Sequence, residues 1–118
     1  MNIEEFRDFC LSLPKVTESF PFDEKTLVFK VGNKMFALAD VDNFSGINVK
    51  CDPEKAIDLR EKYQAVQPGY HMSKIHWNTL VIDGSLSDRQ ITEWIKDSYD
   101  LIVNSLPKKV KKELGLLC

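Results

Sequence analysis

Both histidines of this 118-residue chain, one of its two tryptophans, a lysine and a Pro-Gly turn fall within the twelve residues from Pro68 to Thr79, PGYHMSKIHWNT. Imidazole, phenol, indole and ammonium groups at this density could move protons, hold a metal or stack on a planar ligand, and each chemistry makes a demand on spacing. His71 and His76 are an odd number of residues apart, so along one straight strand they point to opposite faces, and a shared metal needs a turn between them. No carboxylate or cysteine stands beside them at ligand spacing, which leaves structural hydrogen bonding as the plainer role for each imidazole. A histidine suits acid-base work near neutral pH, but no partner nucleophile accompanies these two. Catalytic residues, a metal site and a cofactor are therefore not expected. A binding surface fits better: Tyr70 and Trp77 can stack on bases while Lys30, Lys34, Lys50 and Lys74 hold phosphates, as in single-strand binders that combine aromatic platforms with basic grooves. His71 and His76 complete this candidate set. The competing reading is that aromatics on a short sheet serve its core or rim.

These groups need a frame, and the frame can be read in order. Asn2 with Glu5 forms a capping-box pattern, and Ile3, Phe6, Cys10 and Leu13 recur at helical spacing until Pro14, which places a helix over about residues 3 to 12. Residues 17 to 23 have no period and contain Pro21, so they read as an extended connector anchored by Phe20 and Phe22. Two apolar runs, residues 27–31 and 34–39, flank Gly32-Asn33, a two-residue hairpin turn. An uninterrupted register would oppose Val31 to Lys34, Phe29 to Phe36 and Leu27 to Leu38, giving one strongly apolar face. The reverse face would carry Thr26, Val28, Lys30, Met35, Ala37 and Ala39. Residues 46–50 read as a third strand after the turn at Asp40, Asp42 and Asn43.

Asp52 before Pro53 predicts a second helix, because Asp caps free amides and Pro suits the first helical position. Short strands around the His-Trp motif follow, the clearest at residues 79–82. Ser87 with Gln90 repeats the capping box, and Ile91, Trp94, Ile95, Ile102 and Leu106 form the stripe of a long last helix that Pro107 interrupts before a lysine-rich turn. The order α-β-β-β-α-β-β-α predicts an α+β fold in two layers, an antiparallel sheet with helices on one face, in a single domain over residues 1–118.

Composition narrows the class further. A formal charge of −2 and a pI near 5.7 give no global pull toward phosphate backbones, so nucleic-acid binding would have to rest on a local patch. Lys108, Lys109, Lys111 and Lys112 make one basic cluster, whose plain reading is a solvated tail. The acidic N-terminus lacks the basic start of a signal peptide, and no apolar run approaches the length of a membrane span, so a cytoplasmic protein without membrane partners is expected. Cys10, Cys51 and Cys118 are widely separated and form no Cys-x-x-Cys pair, which argues for reduced thiols. Cys10, on the first helix's apolar stripe, is expected in the core.

Glu18-Ser19-Phe20-Pro21-Phe22, Lys34-Met35-Phe36-Ala37 and above all Pro68-Gly69-Tyr70-His71-Met72 with His76-Trp77-Asn78-Thr79 resemble the MmcQ/YjbR family over nearly the whole chain. The resemblance implies a fold like those of bacterial frataxin and secretion chaperones, and a DNA-binding role. Ser73 and Ile75 depart from a family pattern in which Asn and a more polar or basic residue are common, and the lost charge at Ile75 weakens that implication. Glu4, Glu5 and Asp8 on the first helix could imitate a frataxin's acidic iron ridge, although three acids on an exposed helix are commonly a solvated face. Two functions fit these features: a small DNA-binding module acting through the 70–77 motif and nearby lysines, and a protein-interaction or chaperone-like domain that pairs, with a partner or itself, through the half-apolar sheet face of Val28, Met35, Ala37 and Ala39.

Overall fold

The first helix supplies its own cap. Asn2 Oδ1 accepts the Glu5 amide at 2.8 Å and the Glu5 carboxylate accepts the Asn2 amide at 3.1 Å, satisfying two free donors at the start of α1, Ile3–Ser12. The computed structural model describes residues 1–116. After α1 the chain forms β1 (Val16–Ser19), β2 (Thr26–Val31), β3 (Lys34–Asp40), β4 (Gly46–Lys50), α2 (Pro53–Lys62), β5 (Val66–Pro68), β6 (Trp77–Val81), α3 (Asp88–Ser105) and α4 (Lys108–Glu113). All strand pairs are antiparallel, in the order β1-β2-β3-β4-β6-β5.

This is the α+β arrangement the sequence predicts, with two additions. Part of the expected connector becomes β1, because its backbone finds a partner in β2 from Val16↔Val31 to Ser19↔Val28. The lysine-rich turn after Pro107 becomes the short helix α4. Phe20 and Phe22, expected as anchors, are 49% and 64% exposed; the chain leaves the sheet edge there, and an Asp23 carboxylate accepting the Lys25 and Thr26 amides turns it back. Cys118 lies outside the described residues.

The hairpin turn has both central residues in the left-handed region, Gly32 at φ 58° and Asn33 at φ 67°, which matches strand twist. Val31 opposes Lys34 as expected, but Lys30 then opposes Met35 and Phe29 opposes Ala37. A β-bulge inserts one residue at Phe36 and corrects the rest of the register, because one extra residue flips every later side chain. Phe36, Ala37 and Ala39 all face the helices, and Leu38 takes the reverse face. The bulge also leaves a carbonyl and an amide without ladder partners. Ser98 of α3 spans them: its hydroxyl donates to the Phe36 carbonyl at 2.6 Å and accepts the Lys50 amide at 2.9 Å.

The main core lies between the sheet and the helices, where Phe6 and Cys10 of α1 and Ile91, Trp94, Ile95, Tyr99 and Ile102 of α3 meet Leu27, Phe29, Val31, Ile47, Val49 and Leu80. Burial holds the Cys10 thiol well above the usual range, so it stays protonated. A smaller cluster occupies the reverse face: Val28, Leu38 and Trp77 are buried, with half-buried Met35 and Met72 against them. That face is thus less open than its sequence implies. No described helix is long and apolar enough to cross a membrane.

Candidate functional site

Alternation along β6 divides the motif between the two faces of the sheet. Trp77 and Thr79 take the reverse face with their cross-strand partners Lys50 and Asn48, while Asn78 and Leu80 face the helices. Between β5 and β6, residues 69 to 76 form a loop against the reverse face. The Gly69 amide donates to the Trp77 carbonyl at 2.8 Å and the Trp77 amide to the Ser73 carbonyl at 2.9 Å. At the loop's start, the Tyr70 amide donates to Thr79 Oγ1 at 2.9 Å, the Thr79 hydroxyl donates to Asn48 Oδ1, and Asn48 Nδ2 returns to the Tyr70 carbonyl at 3.4 Å. This closed ring pins the backbone of Tyr70 over the sheet and leaves its side chain 67% exposed.

His71 follows in the left-handed region at φ 58°, a conformation that costs an L-residue roughly 1–2 kcal/mol. Its ring rests on Tyr70 with centroids 4.0 Å apart. The exposed tip of the loop is therefore a preformed pair of aromatic rings in contact, tilted by 53° to each other. His76 is also exposed, and its carbonyl accepts the Cys51 amide at 2.8 Å. The turn that a shared metal would require is present, but among the described residues no group of three His, Cys, Asp or Glu side chains could hold an ion.

The candidate lysines separate. Paired residues share a face, so Lys30, opposite Met35, and Lys50, opposite Trp77, lie on the reverse face with the loop, and both are half-buried along their stems. Only β3 lies between their strands, which sets their backbones roughly 10 Å apart. Lys34 opposes the inward-facing Val31 and belongs to the other face. The Lys74 ammonium donates to the Gly69 carbonyl at 2.9 Å, and Arg60 holds the Lys74 carbonyl at 3.0 Å, so Lys74 closes the loop on itself. Trp77 is 8% exposed against Val28 and Leu38, a floor for the loop that presents no free ring face.

Sequence reasoning passed over Asn48, Thr79 and Asn78. The available signal was their type: asparagine is depleted in strands, so Asn48 and Asn78 between β-branched or aromatic neighbours call for a polar partner. Asn78 is 1% exposed and donates from Nδ2 to the Ala56 carbonyl at 3.3 Å, while its Oδ1 is buried with no partner. An orphan acceptor of this kind costs about 1–3 kcal/mol.

A six-stranded antiparallel sheet with helices on one face and a pinned aromatic loop on the other defines a small α+β domain class. Its family is given by comparison with known proteins: the model of the YjbR family matches residues 11–101, and the chain belongs to that family. It is 36% identical over 115 residues to the uncharacterized protein YjbR of Escherichia coli strain K12, covering 97% of this chain and 98% of the relative. The uncharacterized protein YbdF of Escherichia coli O157:H7 is 34% identical over 112 residues, 94% and 92% of the two chains. Among solved structures, Deinococcus radiodurans protein DR2400, with a DUF419 domain, superposes with a TM-score of 0.92 at 38% identity, covering 98% of this chain and 89% of that one. A Pseudomonas syringae protein gives 0.74 at 28% identity, over 86% and 99%.

Proposed function

We propose that this protein is a small, non-catalytic, cytoplasmic binding module for single-stranded DNA, and that its contact surface is the loop-bearing face of the sheet. One observation carries the reading. The exposed Tyr70–His71 ring pair is pinned over Asn48 and Thr79, on the same face as the cross-strand pairs Lys30–Met35 and Lys50–Trp77. Exposed aromatic rings meet bases through their π-faces, and flanking ammonium groups meet the backbone phosphates. Lys30 and Lys50 are the phosphate contacts of this surface, Tyr70 and His71 its platform, and His76 borders it. Trp77 and Lys74 act indirectly by fixing the loop, and Lys34 lies off the surface. The overall charge of −2 makes the contact local and weak.

Fluorescence anisotropy with labelled single- and double-stranded oligonucleotides tests it. Binding of the single strand at about 10 µM protein and low salt, weakening as salt rises and exceeding binding of the duplex, is the expected result; no salt-dependent binding overturns it. A second reading, a protein-interaction or chaperone-like domain using the same face, draws on the half-buried Met35 and Met72 at its surface. It predicts a complex by size exclusion with light scattering that Met35→Glu disrupts. A monomer without partners, unchanged by the substitution, counts against it.

A further inference from the structure

The two edges of the sheet are built differently. β5 is three residues long and ends on Pro68, a usual way of blunting an edge. β1 has no proline: Val16–Ser19 pair only with β2, and alternate residues of an antiparallel strand turn both N–H and C=O away from their partner. Among the described residues no second backbone segment meets that outer side. The edge ends beside a groove of about 450 Å³ lined by Ile3 and Glu4 of α1, Ser19 and Phe20 at the end of β1, Leu27 and Val41. Charge around this edge is one-sided. Arg7 is paired with Glu18 and Lys25 with Asp42, whereas Glu4, Asp8, Asp23 and Glu24 are exposed and, among the described residues, in no ion pair. Lys15, just before β1, is the one unpaired cation in the same stretch of described residues.

We infer that the β1 edge and its groove dock an extended peptide in which lysine or arginine flanks a large apolar residue. Each part of that description answers a feature of the site. The free N–H and C=O groups of β1 take a peptide backbone as an added strand, the mode in which main-chain bonds give affinity and pockets for alternate side chains give specificity. Exposed Phe20 and the apolar walls of the groove take the large side chain. Glu4, Asp23 and Glu24 take the cations, because a partner of opposite charge is drawn in and one of like charge is turned away. A second copy of this chain fits less well, since a twofold interface sets the same patch against itself and here that patch is acidic. Nucleic acid is repelled from this edge for the same reason, so the site stands apart from the DNA surface proposed above and does not depend on it.

Amide chemical shifts of the full chain, titrated at low salt with the end-capped peptides Lys-Thr-Phe-Thr-Lys and Glu-Thr-Phe-Thr-Glu, test the inference. The basic peptide is expected to move the amides of residues 16–20, Leu27 and Val41 together, with an affinity at least about tenfold tighter than the acidic one and a preference that shrinks as salt rises. Methylating alternate backbone nitrogens of the basic peptide, in each of the two possible phases, should abolish binding in at least one phase, because an added strand needs those donors. Glu4→Lys, a change at an exposed side chain that makes no hydrogen bond to its cap, should reduce the preference for the basic peptide. Equal affinities, shifts away from β1, or binding indifferent to methylation in both phases would overturn the proposal, as would a dimer formed through β1 without peptide.

Discussion

Gly69 packs its backbone directly against Trp77, leaving no room for a side chain between them. The Gly69 amide donates to the Trp77 carbonyl at 2.8 Å, and a side chain at position 69 would place its Cβ 2.7 Å from Trp77 Cβ and 2.9 Å from the Trp77 carbonyl oxygen. Glycine is required here by space rather than by backbone angle. Gly69→Ala is expected to destabilise the fold by about 1–3 kcal/mol through overpacking and to loosen the loop that holds Tyr70. Chemical denaturation measures the first effect. Faster amide exchange over residues 70–77 measures the second, and an unchanged midpoint would show that the contact relaxes freely.

Ser98 is worth more than its size because it closes the bulge. Ser98→Ala would orphan both the Phe36 carbonyl and the Lys50 amide, at about 1–3 kcal/mol for each buried group. A loss of roughly 2–4 kcal/mol in urea unfolding is expected. Ser105→Ala removes only a local bond within α3 to the Ile102 carbonyl and serves as the control, with a change within about 0.5 kcal/mol.

Arg7 of α1 grips Glu18 of β1 with two bonds, at 2.8 and 2.7 Å. The hydrogen bond from Arg7, and then its charge, hold the Glu18 carboxyl below its ordinary value. A carboxyl lowered on folding stabilises the fold above its unfolded value, roughly 4.3, and the contribution fades as pH falls through the lower folded value. Glu18→Gln should therefore melt below the parent at pH 7, with the gap closing toward pH 3. A gap that persists at low pH would place the effect in packing instead.

Lys50 and Lys74 make opposite predictions. On the proposed surface Lys50 meets phosphate, so Lys50→Gln should weaken DNA binding and reduce the salt slope by about one. The Lys74 ammonium is occupied by the Gly69 carbonyl, so Lys74→Gln should leave the slope unchanged and act only through the loop's order. Equal slope changes in the two variants would show that Lys74 leaves its carbonyl to reach the strand.

The sequence made the helix starts legible because caps are local chemistry: Asn2 with Glu5, Asp52 with Pro53 and Ser87 with Gln90 each cap where their pattern says. The Gly32-Asn33 turn was legible for the same reason. The bulge at Phe36 was hidden, because no glycine marks it and its compensation, Ser98, is far away in sequence. That one residue moved Ala37 and Ala39 off the reverse face and put Leu38 there, which removed much of the apolar surface the pattern offered to a partner. The motif itself was visible as a cluster of types. Its division into a buried Trp77, a self-satisfied Lys74 and an exposed Tyr70–His71 ring pair depends on pairing with β4, through Asn48 and Lys50, and no local pattern encodes that pairing.

Mapping amide shifts on adding a short oligothymidine at low salt tests most directly whether the loop-bearing face is the DNA surface. Shifts are expected to concentrate at Tyr70, His71, Lys30 and Lys50, with the exposed faces of α1 and α3 unmoved. Shifts on the helical side, or none at saturating oligonucleotide, would contradict it.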